Sequence, residues 1–323
     1  MFPNIQTFPG SSRFRHFVPK IVRMDFLPDD FSEFISPNCN RTDFLISRLK
    51  DRCLPYTPLK LDGKTHICII FPKSAYSPRF RAKTVIVHYD RAENTPGAND
   101  NSAAVYQIMD WAERLLYSGK IHNVRIILTD GEELGGMASP DSLNQGAFAI
   151  AQMFRKLGVK NNDVFVLDGC GRGDVLLVST AGKNSPGSVS FKLEFESLFK
   201  KTCDIASDAA PGRWIKAPVP YSDNAGFLAN GIPAVALTVL PSDEATLYLR
   251  NLQRDKNFEK LVMTHNVAAG AADKAEELML TEKLPLTWRM MHTQMDNAES
   301  LTKDAFTMTS RFLDILADTV TMV

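Results

Sequence analysis

The sequence predicts an α/β fold, a three-layer αβα sandwich around a mostly parallel, mixed central sheet. Three observations predict it. Short runs rich in Val, Ile and Leu recur along the chain, apolar on both faces at their centres, as interior strands covered by helices require. Stretches with apolar residues at helical spacing alternate with these runs, the order that builds a sheet with helices on both sides. Acidic and histidine residues gather where the apolar runs stop, which is where open α/β sheets place their sites.

Residues 1–40 are Pro-rich and irregular, with a short apolar segment at FSEFI. NRTDFLISRLKDR follows as a helix, with Asn40 or Thr42 as its cap and Phe44, Leu45 and Leu49 at helical spacing. THICIIF (65–71) reads as a strand stopped by Pro72, and KTVIVHY (83–89) as an interior strand. NSAAVYQIMDWAERLLYSG (101–119) is the strongest helix: Val105, Ile108, Met109, Ala112, Leu115 and Leu116 form one stripe, and Gly119 ends it. NVRIILTD (123–130) is a third strand, SLNQGAFAIAQMFRKLG (142–158) a helix closed by Gly158, DVFVLD (163–168) a fourth strand and DVLLVST (174–180) a fifth. VSFKLEFESLFKKTC is a helix and IPAVALTVL (232–240) a buried strand. The last helix, TKDAFTMTSRFLDILADTV, carries Phe306, Met308, Phe312, Ile315 and Leu316 as its stripe. Residues 241–291 break the alternation. Their two charged helical stretches, DEATLYLRNLQRDKNFEKLV and GAADKAEELM, read as an insertion folded over the sheet edge or the site. The chain divides into residues 1–60, an irregular segment and helix packed on the core, and residues 61–323, the α/β domain with its insertion at about 241–291.

The 323 residues suit one large α/β domain, and 44% apolar with 23% charged residues is an ordinary globular composition. Basic and acidic residues balance to a formal net charge of zero, so no overall basic field exists to hold nucleic acid or an anionic membrane. No apolar run approaches the roughly 18 residues that span a bilayer, and the first residues have no apolar core of a signal peptide. The five cysteines, Cys39, Cys53, Cys68, Cys170 and Cys203, are odd in number, widely spaced and without a CxxC pair. That pattern fits reduced thiols, so the expected location is the cytoplasm. Nothing in the composition specifies an oligomer.

Four places put chemistry-bearing side chains where an apolar strand runs out or begins: His88 and Asp90 after VIV, Asp130, Glu132 and Glu133 after RIIL, Asp168 after VFVL, and Asp223 before IPAVAL. Each alone reads as a chain leaving its core; several from neighbouring strands converge. The absence of a cysteine cluster argues against structural zinc, and the absence of HExxH excludes a thermolysin-like helix site. No GxSxG elbow supports a serine hydrolase. GCGRGD (169–174) spaces its glycines as GxGxG, which fails the dinucleotide fingerprint, and the phosphate-loop pattern is missing. What remains is a mixed set: His88, Asp100, Glu133, Asp168 and a C-terminal histidine. Zinc accepts both oxygen and imidazole ligands. Two histidines and three carboxylates give two metals three ligands each if one carboxylate bridges. Two such ions roughly 3.5–4 Å apart acidify a shared water and polarise a carbonyl.

In this order HYD, PGANDNSA, DGEELG, LD and HTQMD, spread over roughly residues 83–300, resemble the co-catalytic zinc aminopeptidases, a superfamily that also contains glutaminyl cyclases and glutamate carboxypeptidase-like enzymes. The resemblance implies a zinc-exopeptidase fold for the α/β domain and two zinc ions, with cobalt or manganese as alternatives. It implies His88 and Asp168 as ligands of the first metal, Asp100 as the bridging carboxylate with a cis peptide after it, and Glu133 and His292 as ligands of the second metal. It implies Glu132 as the general base, and Asp90 as the carboxylate behind the His88 imidazole, which fixes its tautomer. His265, in VMTHNVAAG, competes for the last ligand position. His292 is preferred because HTxxD is the family's local pattern and lies just before the last helix.

The implied activity is hydrolysis of an N-terminal peptide bond, with a peptide or small aminoacyl molecule as substrate. Three departures blur the substrate, the first being a spacer of roughly fifty residues before His292, longer than in small secreted members of the family the sequence resembles. SDNAGF (222–227) has Asn224 where many relatives carry histidine, and HTQMDNAESL is close to the cyclase form of the motif. A glutaminyl cyclase-like acyltransferase and an inactive binding protein on the same fold are the competing expectations.

Overall fold

The computed structural model describes residues 25–133, 146–264 and 282–323. The chain enters through two helices, α1 (Phe31–Phe34) and α2 (Arg41–Asp51). Asn40 caps α2 by accepting the Asp43 amide at 3.2 Å, which satisfies one of the helix's unpaired donors. Phe31, Phe34, Leu45 and Leu49 are buried in the same core cluster as Val85 and Val87.

Strands β1 (Tyr56–Leu61) and β2 (Lys64–Ile70) form a hairpin whose last pair is Leu61 with Lys64. The two loop residues, Asp62 and Gly63, both have positive φ, 48° and 78°, as the tight turns that match strand twist require. The hairpin runs continuously across position 60. Strand β1 was not expected from the sequence because Pro58 interrupts it. It is an edge strand, where a missing N–H is tolerated.

Among the described residues, the further strands and α-helices are β3 (Ala82–His88), α3 (Ala103–Tyr117), β4 (Val124–Thr129), α4 (Gly146–Lys156), β5 (Asn162–Leu167), β6 (Val175–Ser179), α5 (Val189–Ala209), β7 (Trp214–Ala217), α6 (Asn224–Ala229), β8 (Ala234–Leu240), α7 (Ser242–Arg254), α8 (Lys256–Thr264), α9 (Leu286–Met290) and α10 (Lys303–Asp318). One eight-stranded sheet has the order β1-β2-β4-β3-β5-β8-β6-β7. Its centre, β4-β3-β5-β8, is parallel. The pairs β1/β2, β2/β4 and β6/β8 are antiparallel.

Alternate residues divide the core, as strand geometry demands. Val85 and Val87 of β3 and Phe165 and Leu167 of β5 face α2, α3, α5 and α10. Ile86, Val164 and Val166 face α4, α6, α7 and α8. This is the three-layer arrangement, and it explains why the central strands carry no polar face.

Short elements β7, α6 and α9 were not expected. The charged stretch expected as one helix over 243–262 is two, broken at Asp255, whose backbone is extended and whose side chain accepts the Asn257 amide at 3.0 Å. In the insertion, Tyr248 packs edge-on against Phe258 and Trp288 and donates its hydroxyl to the Pro218 carbonyl at 2.5 Å. The described part of the insertion therefore joins the main core. GAADKAEELM, His265, residues 142–145 of the expected helix and residues 1–24 lie outside the described residues. All five cysteines are free. No helix among the described residues is long and apolar enough to cross a membrane.

Candidate metal centre

The parallel registry brings three strand ends together. His88, the last residue of β3, pairs with Thr129, the last residue of β4, and β5 on the other side runs out at Leu167 just before Asp168. The chain after β4 turns at Gly131 (φ 84°) into Glu132 and Glu133. Asp100 arrives on the loop between β3 and α3, and its peptide bond to Asn101 is cis. His292 follows α9, with φ 61°.

Asp100 stands between the two histidines. Its Oδ1 lies 3.1 Å from His88 Nε2 and its Oδ2 lies 3.1 Å from His292 Nε2. On the His88 side, Asp168 Oδ1 is 3.7 Å from the same Nε2. On the other side, Glu133 Oε2 is 2.9 Å from His292 Nε2. The potential ligand atoms of His88, Asp100 and Asp168 all lie within 4.8 Å of one another, as do those of Asp100, Glu133 and His292, and those of His88, Glu132 and Glu133. The structure thus gathers six of the side chains that the resemblance implies, His88, Asp100, Glu132, Glu133, Asp168 and His292.

Asp90 lies behind the His88 ring, Oδ1 to Nδ1 3.6 Å, and accepts the backbone amides of Glu132 at 3.2 Å and Glu133 at 2.9 Å. Asp130 turns the other way: it accepts the Thr65 amide, and its own amide donates to His66 Nδ1. Asp223 precedes α6 and not a strand. It is fully buried, and its Oδ2 accepts the Thr129 hydroxyl at 2.5 Å. Asn224 is buried and accepts the Ser222 amide at 3.0 Å.

Two groups were not assigned a role from the sequence. Asp296 accepts the amides of Asn99 at 2.7 Å and Asp100 at 3.0 Å; its signal was the last letter of HTQMD. Arg41 contacts the loop after β3, and a lone arginine at a helix start carries no signal of that role.

Burial raises Glu132 well above the ordinary carboxylate range, and neighbouring Glu133, Asp168 and Asp223 reinforce it. Burial, with Asp100 beside it, pushes Glu133 up to about 7. Burial also raises Asp296 to about 7 and Asp223 to about 6. Asp100 and Glu133 raise His292 to about 11. Burial alone would lower His88, but Asp100, Asp168 and Asp90 lift it well above the usual imidazole value. Burial would raise Asp90 and Asp100, yet the imidazoles beside them hold both below the normal range. So many carboxylates around two imidazoles form a negative cavity that a divalent cation would neutralise.

The donor set fits such a cation. It is made of imidazole nitrogen and carboxylate oxygen, the mixture zinc accepts. Nε2 of His88, Oε1 of Glu133 and Oδ1 of Asp168 are buried without a hydrogen-bond partner, a costly state that ligation would relieve. Beside Asp168 an apolar recess opens, lined by Val219, Pro220, Ser222, Thr238, Trp288 and Met291.

The sequence model of peptidase family M28 matches residues 75–315. No curated protein matches the chain by sequence. Among solved structures, the LapA aminopeptidase of Legionella pneumophila is similar at TM-score 0.59 and 14% identity, covering 89% of this chain and 69% of that one. A glutaminyl cyclase of Porphyromonas gingivalis is similar at TM-score 0.56 and 14% identity, covering 89% and 94%. BSAP, a zinc aminopeptidase from Bacillus subtilis, is similar at TM-score 0.51 and 17% identity, covering 79% of this chain and 50% of that one. At these identities the likeness is one of fold.

Proposed function

The chain belongs to peptidase family M28, and from that premise we propose that it is a zinc-dependent aminopeptidase releasing the N-terminal residue of a peptide or small aminoacyl substrate. The observation that carries the reading is Asp100, with one oxygen 3.1 Å from each of two imidazoles. A carboxylate so placed suits two cations that share it. His88, Asp100 and Asp168 would hold one, and Asp100, Glu133 and His292 the other. Cobalt or manganese accept the same donors as zinc.

When bound, such ions supply Lewis acidity that activates water and polarises the scissile carbonyl. The chain's own residues do the rest. Glu132 takes the proton of the attacking water and delivers it to the leaving amine. Its burial among carboxylates raises its proton affinity, which suits that transfer. Asp90 holds the His88 ring and, through two backbone amides, the Glu132–Glu133 turn. The recess beside Asp168 suits an apolar side chain of the substrate's first residue.

Glu132→Gln should lower turnover by roughly 10²–10⁴ while metal content stays unchanged. Near-normal turnover in that variant would remove Glu132 from the mechanism. Cyclisation is the second reading, favoured by HTQMDNAESL. A panel of aminoacyl and Gln-peptide substrates, run with metal analysis on the same sample, separates them. Release of amino acids with two ions per chain selects the peptidase; cyclisation with one ion selects the other.

A further inference from the structure

Arg41 begins α2, outside the stretch that matches the family, and no step of the proposed reaction uses it. Its guanidinium is buried and spends four contacts on a single loop. Nη1 donates to the carbonyls of Tyr89 at 2.8 Å and Asp90 at 3.2 Å. Nη2 donates to the Pro96 carbonyl at 3.0 Å and the Ser102 hydroxyl at 2.8 Å. The Phe34 ring covers one face of the guanidinium, 4.5 Å from its centroid. Ser102 donates onward to the Gly97 carbonyl at 2.5 Å.

The loop closes tightly on this group. Gly97 has φ 60°, and a Cβ there would stand 2.7 Å from the Asp100 carbonyl oxygen and 3.4 Å from Arg41 Nη2, so the turn needs glycine. The loop also grips back. Arg91 donates to the carbonyls of Ile35 at 2.6 Å and Ser36 at 2.9 Å, and the Tyr89 hydroxyl meets that of Thr42 at 2.9 Å.

Asp90 and Asp100 both ride on this loop. The two arms of the fork join its two ends, Tyr89–Asp90 on one side and Pro96 with Ser102 on the other. We propose that Arg41 is a positioning residue for metal binding: its planar fork fixes the separation of those ends and so sets Asp100 opposite His88. The inference rests on the reading that these two residues hold a metal. A planar fork matters here because lysine offers the same charge without fixed donor directions. Positioning and charge predict opposite signs. A guanidinium near Asp90 and Asp100 repels an incoming cation, so loss of charge alone would tighten binding, whereas loss of the fork would weaken it.

The deciding measurement is zinc affinity of the full chain in a metal-ion buffer with a competing chelator. It compares wild type, Arg41→Lys, Arg41→Met and Arg48→Ala, each checked for native near-UV circular dichroism. Arg48 lies on the same helix and pairs with Asp30 and Asp51 away from the loop, so it controls for a weakened α2. Both Arg41 variants should bind zinc roughly 10–100-fold more weakly, the range seen when groups supporting a ligand are lost, and Arg48→Ala should match wild type. If Arg41→Met does not fold, Arg41→Lys decides alone. Wild-type affinity in Arg41→Lys, or tighter binding in Arg41→Met, overturns the clamp and leaves the zinc reading standing. A wild-type chain that takes up no zinc overturns both.

Discussion

Asp90 gives one oxygen to the Glu132 amide and the other to the Glu133 amide, and stands 3.6 Å behind the His88 ring. A carboxylate accepts at both oxygens, while an amide offers only one acceptor and turns a donor toward the other group. Asp90→Asn should therefore misdirect the His88 ring and loosen the Glu132–Glu133 turn, lowering zinc affinity about 10–100-fold. Equilibrium dialysis against a chelator series measures this; unchanged affinity would mean that Asp90 supports nothing. The position was legible in the sequence through the resemblance that HYD carries. The role of Asp296 was not. It binds the Asn99 and Asp100 amides, the latter across 196 positions; the last letter of HTQMD marks the residue, but nothing in the motif names partners at that distance.

At the scale of elements, Lys83 joins a strand to a helix. It is buried at the second position of β3 and donates to the carbonyls of Leu316 and Ala317 at 2.9 Å and Thr319 at 2.6 Å. Leu316 and Ala317 are end-of-helix acceptors of α10, and Thr319 is the residue just past it. Lys83→Met keeps the apolar stem and strands the carbonyls, so stability should fall by roughly 2–4 kcal/mol. Urea unfolding reads this directly, and a loss below about 0.5 kcal/mol would show that the cap contributes nothing. Long elements were legible because their apolar period persists: the stripe of Phe312, Ile315 and Leu316 does mark α10, and VIV does mark β3. Short β7, α6 and α9 contain less than two turns or five residues of pattern, too little to distinguish from a loop. The break at Asp255 is set by a side chain accepting an amide two residues on, a choice the helical pattern of 243–262 conceals.

At the scale of the whole molecule, the carboxylate cavity links metal, protons and stability. Burial lifts Glu133 to about 7 from its ordinary 4.5, and Asp223 to about 6 and Asp296 to about 7 from 3.8. Between about pH 4 and 7 the metal-free folded chain keeps protons that the unfolded chain has released, so its stability falls as pH rises through that window. A divalent cation must displace the proton of Glu133 below about pH 7, and that of His292, raised to about 11, throughout. Stabilisation by zinc should therefore grow with pH between 5 and 7.5. Thermal unfolding with and without a chelator tests it: the difference in Tm should be larger at pH 7.5 than at pH 5, and the reverse order would contradict the cavity's charge balance.

Sequence alone determined which residues could do chemistry and in which layer they sit. An unbroken apolar run makes Val85, Ile86 and Val87 an interior strand, covered on both faces, and an interior strand delivers His88 to its end. RIIL and VFVL deliver Glu132, Glu133 and Asp168 past strand ends in the same way, and the packing then set β4 and β5 on either side of β3 in parallel registry. Tertiary structure alone decided how those ends are held. It turned Asp130 away to His66, placed Asp223 against Thr129, and closed the loop carrying Asp100 around a guanidinium 48 positions earlier than Tyr89. The physical reason is range. Periodicity records the burial of neighbours within a few residues, whereas the distance between Asp100 and two histidines is fixed by contacts whose partners lie far apart in the chain and meet only once the layers have packed.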